Sequence, residues 1–257
     1  MTRHRVILPQ IQLPDSLPAS STSLDAETEH YLVRVLRARP GDIVEVCDGA
    51  DSAWLAELIQ SDEQHYAFQW VESAPTRSSN FPFVLAQGMP KADKLESILQ
   101  KSTELGVTGF QPFFSKHCVV KPKPEKEAKK LGRWLKIVKE AARQCRRTDV
   151  PDVHASVSLM ELCDVLPADL PKLVCWEGES SQSLRNWIQE HPDISGAVVA
   201  IGPEGGFSED EITYLEQQGF VSVGLGPLIL RTETAGPTVA ALFQYMYGSL
   251  GDAVPES

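Results

Sequence analysis

The chain has 257 residues, 42% of them hydrophobic, 7% aromatic and 23% charged, which excludes collagen-like, mucin-like and fully disordered classes and suffices for a sizeable core. The net charge of −11 argues against a nucleic-acid partner only until its distribution is read: residues 1–75 carry 5 Lys+Arg against 12 Asp+Glu, residues 76–160 carry 16 against 8, and residues 161–257 carry 3 against 15. The basic middle third is open to two readings, a cationic surface for phosphates or a solvated lysine-rich helix face.

The five cysteines (Cys47, Cys118, Cys145, Cys163, Cys175) form no C-x-x-C pair, which disfavours a zinc ribbon, a thioredoxin motif and a secreted disulfide scaffold. The start, MTRHRVILPQIQLP, lacks the apolar core and cleavage site of a signal peptide, and no apolar stretch reaches the roughly 20 residues a membrane span needs. A cytoplasmic protein is expected.

In chain order, a short strand RVILP is followed by a predicted helix over 25–39, with Leu32, Val33, Val35 and Leu36 at near-helical spacing and Pro40-Gly41 to end it. IVEVC, AWLAELI and YAFQWV, separated by the turn-forming DGADS and SDEQH, predict an antiparallel meander, hence a small β-barrel domain over 1–73. Residues 74–80 are polar and aperiodic and are expected to be a linker to a second domain, 81–257.

That second part alternates. FVLAQ precedes a helix over 91–105 with an apolar stripe of Leu95, Ile98, Leu99 and Leu105, stopped by Gly106; FQPFF reads as a strand. A helix over 126–147 is expected to bury Leu131, Trp134, Leu135, Val138 and Ala142 and to present Lys129, Lys136, Lys139, Arg143, Arg146 and Arg147. Strands KLVCWE, GAVVAIG and FVSVGLG then alternate with helices SLRNWIQE and EDEITYLEQQ, before a last helix from Pro237 to Leu250. This alternation predicts an α/β fold with a mainly parallel, two-sided sheet.

Two loops stand where such sheets place ligands. IGPEGGFS (201–208) follows an apolar strand and precedes a helix that Ser208 and Glu211 can cap as a capping box. Its glycines admit close backbone approach to a ligand, though a tight strand-to-helix turn alone is the competing reading. LGPLILRTETA (225–235) also joins a strand to a helix; Arg231 is either a structural ion-pair partner or a cation placed to hold developing negative charge. The absence of G-K-[ST] and G-x-G-x-x-G disfavours a P-loop nucleotidase and an ordinary dinucleotide enzyme.

Both loops, with KSTELGV (101–107) and EAARQCRRTDVP (140–151), closely resemble the bacterial 16S ribosomal RNA uracil-N3 methyltransferases, a group of the SPOUT superfamily, over nearly the whole chain. The resemblance implies a PUA-like RNA-binding barrel at the N-terminus, a deep C-terminal trefoil knot, S-adenosylmethionine in the knotted loops, and a homodimer. Residue matching assigns the cofactor to Ile201, Gly202, Glu204, Gly205, Leu225, Gly226, Ile229, Leu230, Thr234 and Ala235, with Arg231 and Glu233 in the same pocket. Leu228 stands where many members have arginine, His117 replaces another arginine, and Arg143 replaces an acid.

Uracil N3 must lose its proton before it attacks a methyl group, so such an enzyme has to favour a pyrimidine anion. Arg231 is expected to stabilise that charge, and Glu233 to orient Arg231, to act as general base or to be structural. N3 lies on the Watson–Crick edge, so the uridine must be unpaired or flipped out. Arg3, Arg5, Lys91, Lys94, Lys101, Lys116, Lys121, Arg143, Arg146 and Arg147 are the expected phosphate contacts in 16S ribosomal RNA or the small ribosomal subunit. The alternatives are a related SPOUT enzyme acting on another RNA and a non-catalytic ribosome-assembly factor.

Overall fold

The structure, a computed structural model, describes residues 4–61, 65–91, 93–119 and 124–252; Arg3 and Lys121, both expected to contact RNA, lie outside this set. The chain divides into two units, one made of the residues up to Ser78 together with Ala142–Val150, the other of Ser79–Ala141 and Pro151 onward.

The first unit contains β1 (His4–Ile7), β2 (Thr22–Ser23), α1 (Ala26–His30), β3 (Ile43–Cys47), β4 (Ala53–Gln60) and β5 (Tyr66–Ser73), in one sheet of order β1-β3-β4-β5-β2. The expected meander is the antiparallel run β3-β4-β5. The Asp48 carboxylate shapes its first turn by accepting the N–H groups of Ala50 at 2.9 Å and Ser52 at 3.1 Å. Alternate side chains, Val44, Val46, Trp54, Phe68 and Trp70, form the core with Val6 and Leu32.

The helix predicted over 25–39 is shorter than its apolar spacing suggests. Asp25 caps α1 by accepting the Thr28 N–H at 2.7 Å, but after His30 the chain widens into a π-helical turn, Tyr31–Val35, and Arg37 adopts a left-handed φ of 57°. The wider turn buries Leu32 and turns Val35 outward, which the 3.6-residue period could not foresee.

Residues 142–150, which the sequence reading placed in the second domain, pack with the first unit. Ala142 joins Ile7, Cys47 and Ala53, and Val150 N–H donates to the Gly49 carbonyl at 2.9 Å. This corrects two expected phosphate contacts. Arg5, only 7% exposed, donates at 2.7 Å both to Glu45 and to the Arg147 carbonyl, while Arg147, 6% exposed, pairs with Asp149. Both guanidiniums are committed inside the unit because ion pairing is what makes a buried charge tolerable.

The second unit runs β6 (Phe83–Gly88), α2 (Lys94–Glu104), β7 (Gly109–Phe114), α3 (Pro124–Gln144, its last turn in the first unit), β8 (Asp152–Val153), β9 (Val157–Ser158), α4 (Leu162–Val165), β10 (Lys172–Cys175), α5 (Leu184–Glu190), β11 (Ala197–Ile201), α6 (Glu209–Gln217), β12 (Phe220–Val223) and α7 (Thr232–Met246). Its sheet has the order β12-β10-β11-β6-β7-β8, with β9 also beside β7, and every pairing is parallel. The central strand β11 is buried at all five positions, as expected of a strand covered on both faces. Phe207, Ile212, Leu215 and Leu162 pack with Ala86, Val174, Val198 and Ala200, while α7 packs against α2, β6 and β11.

Two predicted helices differ in detail. Along α3, Trp134 and Val138 are buried, but Leu135 is 42% exposed because it points about 100° away from Trp134. The last helix starts five residues before Pro237, which sits inside it; the N–H groups of Thr234 and Ala235 donate to the Arg231 carbonyl at 2.8 Å, so RTETA forms the first turn. Taking proline as a first-turn residue set the expected start too late. Among the described residues no helix is long and apolar enough to cross a membrane.

Replacing Arg5 with alanine leaves Glu45 without its 2.7 Å partner and should destabilise the first unit by about 3 kcal/mol. Urea unfolding followed through Trp54 and Trp70 measures this; a loss under about 0.5 kcal/mol contradicts the structural role.

Candidate functional site

β12, β10 and β11 lie side by side and run parallel, so the loops that leave their C-terminal ends converge at one edge of the sheet. The sequence points to the loops after β11 and β12; the structure adds the one after β10. Together they enclose a cavity of about 370 Å³, lined by Trp176, Glu177 and Glu179 from the first loop, Gly202 and Gly206 from the second, and residues 224–230 from the third.

Glycine is required where the loops meet. Gly206 has φ 64°, and a Cβ there would lie 2.8 Å from the Glu177 carboxylate; a Cβ on Gly224 would lie 2.9 Å from the Glu179 carbonyl. The Gly224 N–H donates to the Gln182 carbonyl at 2.8 Å and its own carbonyl accepts the Leu184 N–H at 2.9 Å, so backbone bonds join the first and third loops. On the second loop Ser208 and Glu211 form the expected capping box at the start of α6.

A neighbouring cavity of about 310 Å³ shares Glu177, Pro203, Gly206, Ile229, Leu230 and Thr232 with the first, and adds Lys94, Glu204 and Arg231. Thr232, buried at the start of α7, fixes the common wall: its hydroxyl donates to the Gly202 carbonyl at 2.7 Å and accepts from Gln87 Nε2 at 2.8 Å. The Lys94 ammonium lies 3.1 Å from Glu204 and 3.1 Å from Glu233. These bonds raise the Lys94 pKa. Burial pushes the Glu204 carboxyl up, but donors including its own N–H, the Lys91 N–H and the Lys94 ammonium leave it below the usual range. Glu233 is lowered by its own backbone N–H first and by Lys94 and Arg231 as well.

Most residues expected around the cofactor meet here. Ile201, Gly202, Leu225, Gly226, Ile229, Leu230 and Ala235 line the first cavity; Glu204 and Arg231 line only the second. Three expected site residues line neither. Gly205 packs against His117, whose Nδ1–H donates to the Gly205 carbonyl at 2.9 Å; Thr234 is exposed on the first turn of α7; Glu233 is held by Lys94.

Of the expected phosphate contacts, Lys91, Lys101, Lys116 and Arg146 are exposed, Arg143 is half-buried, Lys94 is bound between carboxylates, and Arg5 and Arg147 are buried. Sequence reading missed Trp176, Glu177, Glu179 and Thr232; their only signal was a position just beyond a strand or at a helix start. Cys175 also lines the first cavity, but burial pushes its thiol up to about 12, so it remains a neutral thiol rather than a nucleophile.

Thr232→Val removes the hydroxyl that serves both Gly202 and Gln87 and should cost about 2 kcal/mol, since the Gly202 carbonyl loses this donor and the Gln87 amide, which still donates to the Gly88 carbonyl at 3.0 Å, loses one of its two acceptors. Urea unfolding checks this; an unchanged midpoint would show that the hydroxyl does not hold the wall.

Comparison with known proteins also divides the chain in two. Residues 77–244 match the family model of an RNA methyltransferase domain, and residues 24–69 that of an RNA methyltransferase PUA domain. The chain is 36% identical over 246 residues to ribosomal RNA small subunit methyltransferase E of Bacillus subtilis, covering 91% of this chain and 93% of that protein. It is 35% identical over 229 residues to the protein of the same name from Synechocystis, covering 88% and 73%. It is also similar to the crystal structure of a ribosomal RNA small subunit methyltransferase E from Neisseria gonorrhoeae bound to S-adenosyl methionine, with a TM-score of 0.83, 30% identity, and 96% and 99% of the two chains covered. A parallel α/β unit with its loops gathered at one sheet edge, an accompanying PUA-type unit and full-length similarity at this level establish that the chain belongs to the ribosomal RNA small subunit methyltransferase E family.

Proposed function

We propose that the chain transfers a methyl group from S-adenosylmethionine to N3 of a uridine in the 16S RNA of the small ribosomal subunit. The observation that carries this reading is the pair of adjoining cavities with a common wall, one suited to the donor and the other to a base. Among the described residues, the lining of the first cavity includes the carboxylates Glu177 and Glu179 and no Lys or Arg, which complements a sulfonium cation. Trp176, Ile201, Leu225 and Leu230 offer apolar surface for an adenine ring, and the glycine backbones leave room for close approach. When bound, the donor would supply an electrophilic methyl carbon, its sulfur–methyl bond breaking as the N3–methyl bond forms so that a neutral thioether departs.

Everything else falls to the chain. The shared wall aligns donor and base, which is the proximity contribution. Arg231, lining the second cavity, carries the positive charge that balances an ionised pyrimidine carbonyl. Glu233, with its pKa lowered, is a weak base at neutral pH, so its part is structural; the N3 proton leaves to solvent.

The exposed lysines of α3, Lys129, Lys136 and Lys139, supply phosphate contacts in place of Arg5 and Arg147. The chain's return from the edge strand β12 to α7, which packs on the inner strands β11 and β6, supports the trefoil crossing. Exposed Leu228, Ile229, Tyr245 and Met246 suit a homodimer contact, which sedimentation checks: a dimer supports it and a monomer at micromolar concentration refutes it.

The deciding assay offers labelled S-adenosylmethionine with either free 16S RNA or small subunits from cells lacking the protein. Label in N3-methyluridine at one position is expected, and Arg231→Ala should lower kcat about 100-fold while changing donor affinity less than about threefold. Label in another base, or none in RNA, contradicts the proposal. Reversing charge at Lys129, Lys136 and Lys139 should weaken RNA binding and reduce the salt slope by about 2, with donor affinity unchanged. Equal RNA affinity in that variant would remove α3 from the interface.

A further inference from the structure

Lys94 is the first residue of α2, Glu204 lies on the glycine loop after β11, and Glu233 lies in the first turn of α7. One ammonium therefore joins three elements that are distant in sequence, at 3.1 Å to each carboxylate. Glu204 is tied to the same corner a second time, because its carboxylate oxygens accept the Lys91 N–H at 3.1 and 3.2 Å. The Lys94 side chain is 33% exposed and each glutamate 23%, so the group is partly shielded from water.

The charge count decides what Lys94 can do. One ammonium between two carboxylates leaves the trio with a net negative charge, so it neither attracts a phosphate nor stabilises a second anion. That argues against the phosphate contact expected from the sequence and leaves Arg231 as the other cation lining the second cavity. Without the ammonium, two carboxylates no further apart than twice the bridging distance would repel each other and pull the glycine loop away from α7.

We propose that Lys94 is a positioning residue that clasps the glycine loop, through Glu204, to the start of α7, through Glu233, and so keeps the two cavities in register. The proposal rests on the donor-site reading above for its kinetic consequences, but not for the clasp itself. Thr232 fixes the backbone of the same corner through Gly202, and Lys94 fixes its outer side, so the loop is held from both sides.

The test compares Lys94→Met, Lys94→Arg, Glu204→Gln and Lys94→Met/Glu204→Gln with the wild-type chain. In the ligand-free protein, amide hydrogen exchange at residues 202–206 and 232–235 should quicken about tenfold in Lys94→Met, with α3 unchanged. Methyl transfer should show kcat reduced about 30-fold with KM for RNA changed less than about threefold, because alignment is lost and phosphate binding is not. Lys94→Arg, which can still bridge two carboxylates, should recover most of the rate, and the double variant should be no slower than Lys94→Met.

Exchange and kcat at wild-type levels in Lys94→Met, or no recovery with arginine, or additive losses in the double variant, overturn the clasp. If Lys94→Met fails to fold, Glu204→Gln and Lys94→Arg carry the same comparison. A wild-type chain that neither binds S-adenosylmethionine nor methylates RNA overturns the donor-site reading alone, because the exchange measurement still decides the clasp.

Discussion

The site depends on one small hydrogen-bond relay. The Thr232 hydroxyl accepts from Gln87 on β6 and donates to Gly202 beyond β11, so two neighbouring strand ends and the start of α7 share one buried oxygen. A buried hydroxyl with both functions used is rigid, because breaking either bond strands a polar group away from water. Around it the two glycine-bearing loops take fixed shapes, and the loop after β10 closes on them where Glu179 meets Gly224 and Glu177 meets Gly206. The cavities follow from this convergence rather than from any one motif.

The charge partition read from the sequence has a structural counterpart, but not the simple one. The acidic C-terminal segment places Glu177 and Glu179 at the first cavity, and Glu177 and Glu204 at the second. The basic middle segment contributes the outward lysines of α3. Several of its cations are paired with carboxylates instead: Arg147 with Asp149, and Lys94 with two glutamates. A count of residues by segment cannot distinguish a solvated cation from a paired one, since pairing depends on partners brought together only by folding.

Legibility in the sequence followed the range of the interaction. The strands, the capping box at Ser208 and the glycine loops are set by neighbours a few residues apart, and these were readable. The break in the helix at Tyr31, the early start of α7 before Pro237 and the outward turn of Leu135 are set by tertiary packing that overrides local periodicity. The loop after β10 went unread because Trp176, Glu177 and Glu179 form no motif; they matter because β10 lies between β12 and β11, an order that strand patterns do not encode. Counting basic residues assigned Lys94 and Arg5 to phosphate, and both are committed elsewhere.

The most direct measurement is a crystal structure of the chain grown with S-adenosylmethionine. The account predicts density for the donor among the loops after β10, β11 and β12, with its methyl carbon facing the cavity lined by Arg231. Donor density in any other cleft, or a methyl carbon turned away from Arg231, contradicts it.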